Sequence, residues 1–206
     1  NGDIPYLIPG DEVSVREAWN IMLVASSNDA AMLLVRTAGG GHDKSLALSD
    51  ATKLSFVELM NTKARDLVLR RTRFTDPTGL DSGNVSTARE VAVLARYALS
   101  LPEIRSAVLQ KKFVFAPLGQ EAREVFSTNQ LLNWFRLPGV QLLGGKTGRI
   151  EESGYNLVLA SAVSGHELIG VVLGSENNNA RFEDMSKLLQ WGIKNVECRM
   201  QNAEFS

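Results

Sequence analysis

The hydrophobic period of this 206-residue chain changes near residue 110, and that change constrains the fold more than any other feature. Before it, apolar residues recur three and four apart. Ser14 and Glu17 form a capping-box signature, and Ala18, Ile21, Met22 and Ala25 follow at helical spacing. "SSND" at 26–29 interrupts the pattern, "AAMLLVRTA" resumes it as a second helix, and "GGG" at 39–41 ends that helix as a C-cap and loop. A helix capped by Ser49 or Asp50 is expected to turn Leu54, Val57, Met60 and Ala64 inward. "TDPTGLDSGN" at 75–84 is dense in turn formers and reads as an ordered loop. Thr87 and Glu90 make a second capping box, opening a helix with Val91, Leu94, Ala95 and Ala98 on one face. Pro102 starts a short helix to about Gln110.

After the change the chain reads as strands. "KKFVFA" and "REVFS" flank "PLGQEA" as a hairpin, and "TNQLLNWF" is a short helix or turn. "QLLGGKTG", "YNLVLASAV" and "ELIGVVLG" form three strands, the last two joined by the tight turn "SGH". "NARFEDMSKLLQWGIKNV" closes as an amphipathic helix burying Phe182, Met185, Leu188, Leu189 and Ile193. The expectation is an α/β chain of the α+β type: one domain over 1–206, with a helical half at about 13–110. An antiparallel sheet with a backing helix follows at about 111–196.

Charge and rare residues narrow the functional classes. Lys and Arg number 22 against 23 Asp and Glu, so the basic excess expected of a nucleic-acid-binding domain is missing. No apolar run is long enough to span a bilayer, and the first residues lack the basic and apolar regions of a signal peptide. His42 and His166 sit in glycine-containing turns without a second ligand at useful spacing, so no metal site is expected. Cys198 has no partner cysteine and reads as a bystander. "TDPTGLDSGN" lacks the spacing and terminal Glu of an EF-hand.

The tripeptide Lys146-Thr147-Gly148 ends the first of the three strands, and a structural strand has no need of an ammonium beside a hydroxyl there. A lone K-T-G is weak evidence, and a lone lysine is by default a solvated strand-end charge. Its weight rises beside an S-x-N element upstream, here Ser26-Ser27-Asn28, although Ser26 or Asn28 could equally cap the following helix. Serine penicillin-recognising enzymes combine S-x-x-K, S-x-N and K-T-G.

Beyond the motif pair, "LIPGDEVSVREAWNIMLVASSNDAA", "FVELMNTKA", "TRFTDPTGLDSGNVSTAREVAVLARYAL", "STNQLL", "PGVQLLGGKTG", "SGYNLVLASA" and "LLQWGIKN" cover nearly the whole chain. In these stretches it resembles the D-alanyl-D-alanine carboxypeptidases of the low-molecular-weight penicillin-binding protein family. The resemblance implies a β-lactamase-like transpeptidase fold and serine-type acyl-enzyme hydrolysis of peptidoglycan stem peptides ending in D-Ala-D-Ala. It also implies β-lactams as ligands, no cofactor, and an extracytoplasmic location, with any membrane association through parts not present here.

Residue by residue, the resemblance implies that Lys146 and Thr147 receive the substrate carboxylate and that Gly148 lets the peptide backbone approach the strand. The N–H of Arg149 would serve an oxyanion hole. Ser26 would relay a proton between the leaving amine and the lysines, and Asn28 would hydrogen-bond substrate and orient a lysine. Glu151 and Glu152 read as a solvated turn rather than an acid–base pair.

The match breaks at the nucleophile. None of the eight lysines has serine three residues before it, and "SDATK" at 49–53 has one residue too many. In the family the S-x-x-K helix precedes the stretch corresponding to Asn1. Two explanations stay open: part of a complete enzyme, favoured by the intact S-x-N and K-T-G, or a non-catalytic remnant that binds peptidoglycan or a partner. Ser27 stands where the family usually has glycine, a change compatible with a helix boundary.

Overall fold

The computed structural model describes residues 6–38 and 50–204, with side chains described to residue 196. The "GGG" stretch, His42 and Ser49 lie outside the described residues, as does the Cys198 side chain. The elements run α1 (Val15–Ala25), α2 (Asn28–Ala38), α3 (Asp50–Asp66), α4 (Ala88–Leu99), α5 (Pro102–Val108), β1 (Lys112–Phe115) and β2 (Arg123–Phe126). They continue with α6 (Leu131–Trp134), β3 (Val140–Ile150), β4 (Gly154–Val163), β5 (His166–Ser175) and α7 (Asn178–Glu204). The chain divides into two compact units. One comprises residues 1–90 and 110–128, the other 91–109 and 129–206.

In the first unit, α1 starts with the expected capping box. The Ser14 hydroxyl accepts from the Glu17 N–H, and the Glu17 carboxylate accepts from the Ser14 N–H at 2.8 Å. Ile21, Val24 and Ala25 of α1 and Ala30 of α2 pack against Phe115 and Val125 of the antiparallel β1–β2 hairpin. The α3 helix departs from expectation. Ala64 is buried, but Leu54 is 67% exposed, because the apolar positions of α3 are too sparse to hold one face inward along its whole length. The loop after α3 is ordered as expected. Asn61 donates to the Phe74 carbonyl and accepts from its N–H, while the Asn84 side chain accepts from the Thr75 N–H.

In the second unit, β3, β4 and β5 form an antiparallel sheet in that order, with β3 at one edge. The β4–β5 connection is a tight turn in which Ser164 and Gly165 both take positive φ. Asn177 caps α7 by accepting from the Asn179 and Ala180 N–H groups, and the helix runs beyond its expected end near 196. Phe182, Met185, Leu189 and Ile193 of α7 bury against Leu157, Leu159 and Val163 of β4, with Leu131 and Phe135 completing the core. Leu188 is only half-buried at its margin. The α5 helix packs on β3 from the other side, where Val108 meets Gly144 at a β-bulge.

Candidate functional site

Strand β3 continues through the K-T-G tripeptide to Ile150, so Lys146 and Thr147 lie within the sheet ladder and not beyond it. Across the ladder, Lys146 faces Val158, Thr147 faces Leu157, Gly148 faces Asn156 and Arg149 faces Tyr155. Cross-strand partners share a face. Leu157 belongs to the core under α7, so Thr147 is on the α7 side and Lys146 on the opposite side.

Lys146 is not the solvated strand-end charge that an isolated lysine would be. The residue is half-buried, and Nζ donates to the Thr147 carbonyl at 2.8 Å. Burial, with the Arg181 charge adding to it, pushes the ammonium down from 10.5 to about 8. Thr147 is 6% exposed. Two glycines flank the lysine on this strand for different reasons. A Cβ on Gly145 would lie 2.5 Å from the Val158 carbonyl, whereas on Gly148 its nearest neighbour would be Asn156 Cβ at 3.9 Å. Gly148 therefore leaves open space at the strand surface.

Arg181, in the first turn of α7, is the residue that sequence reading missed. It is 7% exposed, and its Nη1 donates to the Gly148 carbonyl at 3.3 Å, with a longer contact to the Asn156 carbonyl. Nη2 bonds the Asn178 side chain, and the guanidinium lies 4.9 Å from the Phe182 ring centroid and 5.4 Å from that of Tyr155. Burial pushes the guanidinium down from its ordinary value. No carboxylate among the described residues pairs with it. Arg149 is exposed and its guanidinium lies over the Tyr155 ring, 5.0 Å from the centroid. The strand end is thus strongly cationic. Glu151 and Glu152 lie in the exposed β3–β4 turn.

In the first unit, the break between α1 and α2 shows which residue caps. Ser27, 5% exposed, accepts the Ala30 N–H on its hydroxyl at 3.2 Å and the Ala31 N–H on its carbonyl at 3.2 Å. Ser27 therefore caps α2. Ser26 takes a left-handed backbone, φ 61° and ψ 36°, and both it and Asn28 are half-buried. Non-glycine residues pay strain for that conformation, and such strain concentrates at functional sites.

The loop at 75–84 is organised around Asp76. One Asp76 carboxylate oxygen accepts from the N–H groups of Thr78, Gly79 and Leu80 and from the Thr78 hydroxyl. Burial raises this carboxyl, and the hydrogen bonds outweigh it to leave the group below the usual carboxylate range. Among the described residues no group of three or more His, Cys, Asp or Glu could hold a metal ion, and no helix is long and apolar enough to cross a membrane.

A family model described as Peptidase_S11, D-alanyl-D-alanine carboxypeptidase, matches residues 4–177. The chain belongs to the D-alanyl-D-alanine carboxypeptidase family. It is 35% identical over 196 residues to the carboxypeptidase DacC of Escherichia coli, covering 94% of this chain and 44% of DacC. To DacD of the same species it is 36% identical over 193 residues, 92% of this chain and 45% of that protein. Among solved structures, a Streptomyces DD-transpeptidase superposes with a TM-score of 0.81 at 31% identity, covering 92% of this chain and 71% of that one. The fold is therefore the penicillin-binding-protein type that the resemblance implied. The chain spans less than half the length of the two Escherichia coli relatives it matches.

Proposed function

We propose that this chain carries the carboxylate-gripping part of a serine-type D-Ala-D-Ala carboxypeptidase that trims peptidoglycan stem peptides and is acylated by β-lactams. The observation that carries the reading is Arg181. A buried guanidinium without a carboxylate partner, beside a second cation that it helps to depress, is costly unless an anion completes it. A peptide carboxylate at the open edge of β3, where groups from both faces of the sheet can reach it, supplies that anion, with Lys146 from one face and Arg181 and the Thr147 hydroxyl from the other. Gly148 leaves room for the peptide backbone along the edge of β3, and the Arg149 N–H stabilises the oxyanion. Ser26 relays the proton to the leaving amine, and Asn28 hydrogen-bonds substrate and orients a lysine.

Acylation needs a serine nucleophile, and the 206 residues contain no S-x-x-K to provide it. The second reading is a peptidoglycan-binding module without acyl transfer. Labelling with a fluorescent penicillin separates them. Any longer reading frame containing this chain and an S-x-x-K labels covalently, Lys146→Ala weakens that labelling, and the 206-residue chain alone stays unlabelled. A longer frame without S-x-x-K, or one that does not label, contradicts the enzyme reading. On this reading the protein works outside the cytoplasm, where its peptidoglycan substrate lies.

A further inference from the structure

The face of the sheet away from α7 holds a cavity of about 230 Å³ within the second unit. Its floor is apolar: Leu143 at the β3 bulge, and Ala160 paired with Ile169 across β4 and β5. Its rim is charged in an unusual mixture, with Arg96 from α4, Arg105 from α5 and Glu167 from β5. Arg105 Nη2 donates to one Glu167 oxygen at 3.3 Å, and both side chains are substantially exposed, so this pair is weakly held and open to a competing ligand. Arg96 is exposed at the rim and makes no ion pair among the described residues.

We propose that this cavity binds a small aliphatic α-amino acid as its zwitterion. Two guanidinium groups suit a carboxylate, and Glu167 suits the ammonium carried on the adjacent α-carbon of the same molecule. A simple anion would face the Glu167 charge, and a simple amine would face both arginines; the zwitterion answers all three. The short side chain then rests on Leu143, Ala160 and Ile169, where the small Ala160 leaves the space. D-Alanine, the amino acid that the proposed reaction releases, belongs to this class, but the binding rests on the cavity alone and stands apart from catalysis.

The test is a ligand-observed NMR titration of the 206-residue chain with D-alanine, L-alanine, propionate and ethylamine. One or both alanines bind saturably in the millimolar range, about −4 kcal/mol. Propionate and ethylamine bind about tenfold more weakly, because each leaves one charge set unanswered. Arg96→Gln and Glu167→Gln, both at exposed positions that leave folding intact, each weaken alanine by about tenfold. The proposal is overturned if neither enantiomer saturates, if propionate or ethylamine binds as well as alanine, or if both variants bind alanine like the parent chain.

Discussion

The end of β3 and the break between α1 and α2 both display polar side chains that a plain strand or helix would not need, but they hold them by different means. At the strand end the device is electrostatic. Burial lowers both Lys146 and Arg181 from their ordinary values, and the Arg181 charge adds to the effect on Lys146. At the helix break the device is conformational. Ser26 is left-handed, and Ser27 caps α2 through its hydroxyl. The first arrangement is sensitive to charge and pH, the second to backbone freedom, and substitutions should separate them accordingly.

The largest effect is expected where the strand itself is tested. Gly145→Ala drives a Cβ against the Val158 carbonyl and should cost about 3 kcal/mol or prevent folding, read as a denaturant midpoint. Gly148→Ala, with open space around it, should leave the midpoint in place and weaken only peptide binding. Equal destabilisation by the two would remove the distinction between a packing glycine and an access glycine.

The electrostatic device is sharpened by pH. A lysine with its folded value depressed to about 8 carries its penalty in full below that pH and loses it as pH rises toward 10.5. Stability relative to Lys146→Met should therefore rise across that window. Carboxylate affinity should fall across it, approaching about tenfold per pH unit above 8 where binding requires the protonated lysine. Parallel movement of the two would break the account, since only a buried ligand-facing ammonium moves them oppositely.

Arg181→Leu removes a cation from the same site. It should reduce carboxylate affinity by about tenfold and move the Lys146 titration upward, followed by NMR of the lysine ammonium. Unchanged lysine titration would show that the two charges do not feel each other.

The smallest effects belong to the helix break. Ser27→Ala should cost about 1 kcal/mol by loss of the cap. Ser26→Gly relieves the left-handed strain, so its stability should hold or rise by up to about 1 kcal/mol while penicillin labelling of a nucleophile-bearing longer protein falls. A Ser26→Gly variant less stable than Ser27→Ala would reverse the assignment of roles.

The elements were legible because their signals are local. The Ser14 capping box, the "SGH" turn and the alternation through "YNLVLASAV" each span a few residues, and each is found where expected. The strand carrying Lys146 and Thr147 was legible for the same reason, whereas the depression of Lys146 depends on what surrounds it. Arg181 was not legible, because its contact with the Gly148 carbonyl joins residues 33 apart through the packing of α7 on the sheet. Leu54 misled because its spacing is helical while its surroundings supply too few apolar partners. Chain order also hides the compact units: β1 and β2 belong with the early helices, and most of α4 with the late sheet.

The central claim is that the cationic end of β3 grips a peptide carboxylate. The direct measurement is titration of the 206-residue chain with an acyl-D-Ala-D-Ala peptide and with its C-terminal amide, alongside Lys146→Ala. The free acid should bind at least about tenfold more tightly than the amide, and Lys146→Ala should shrink that preference. Equal affinity for acid and amide in the parent chain would contradict it.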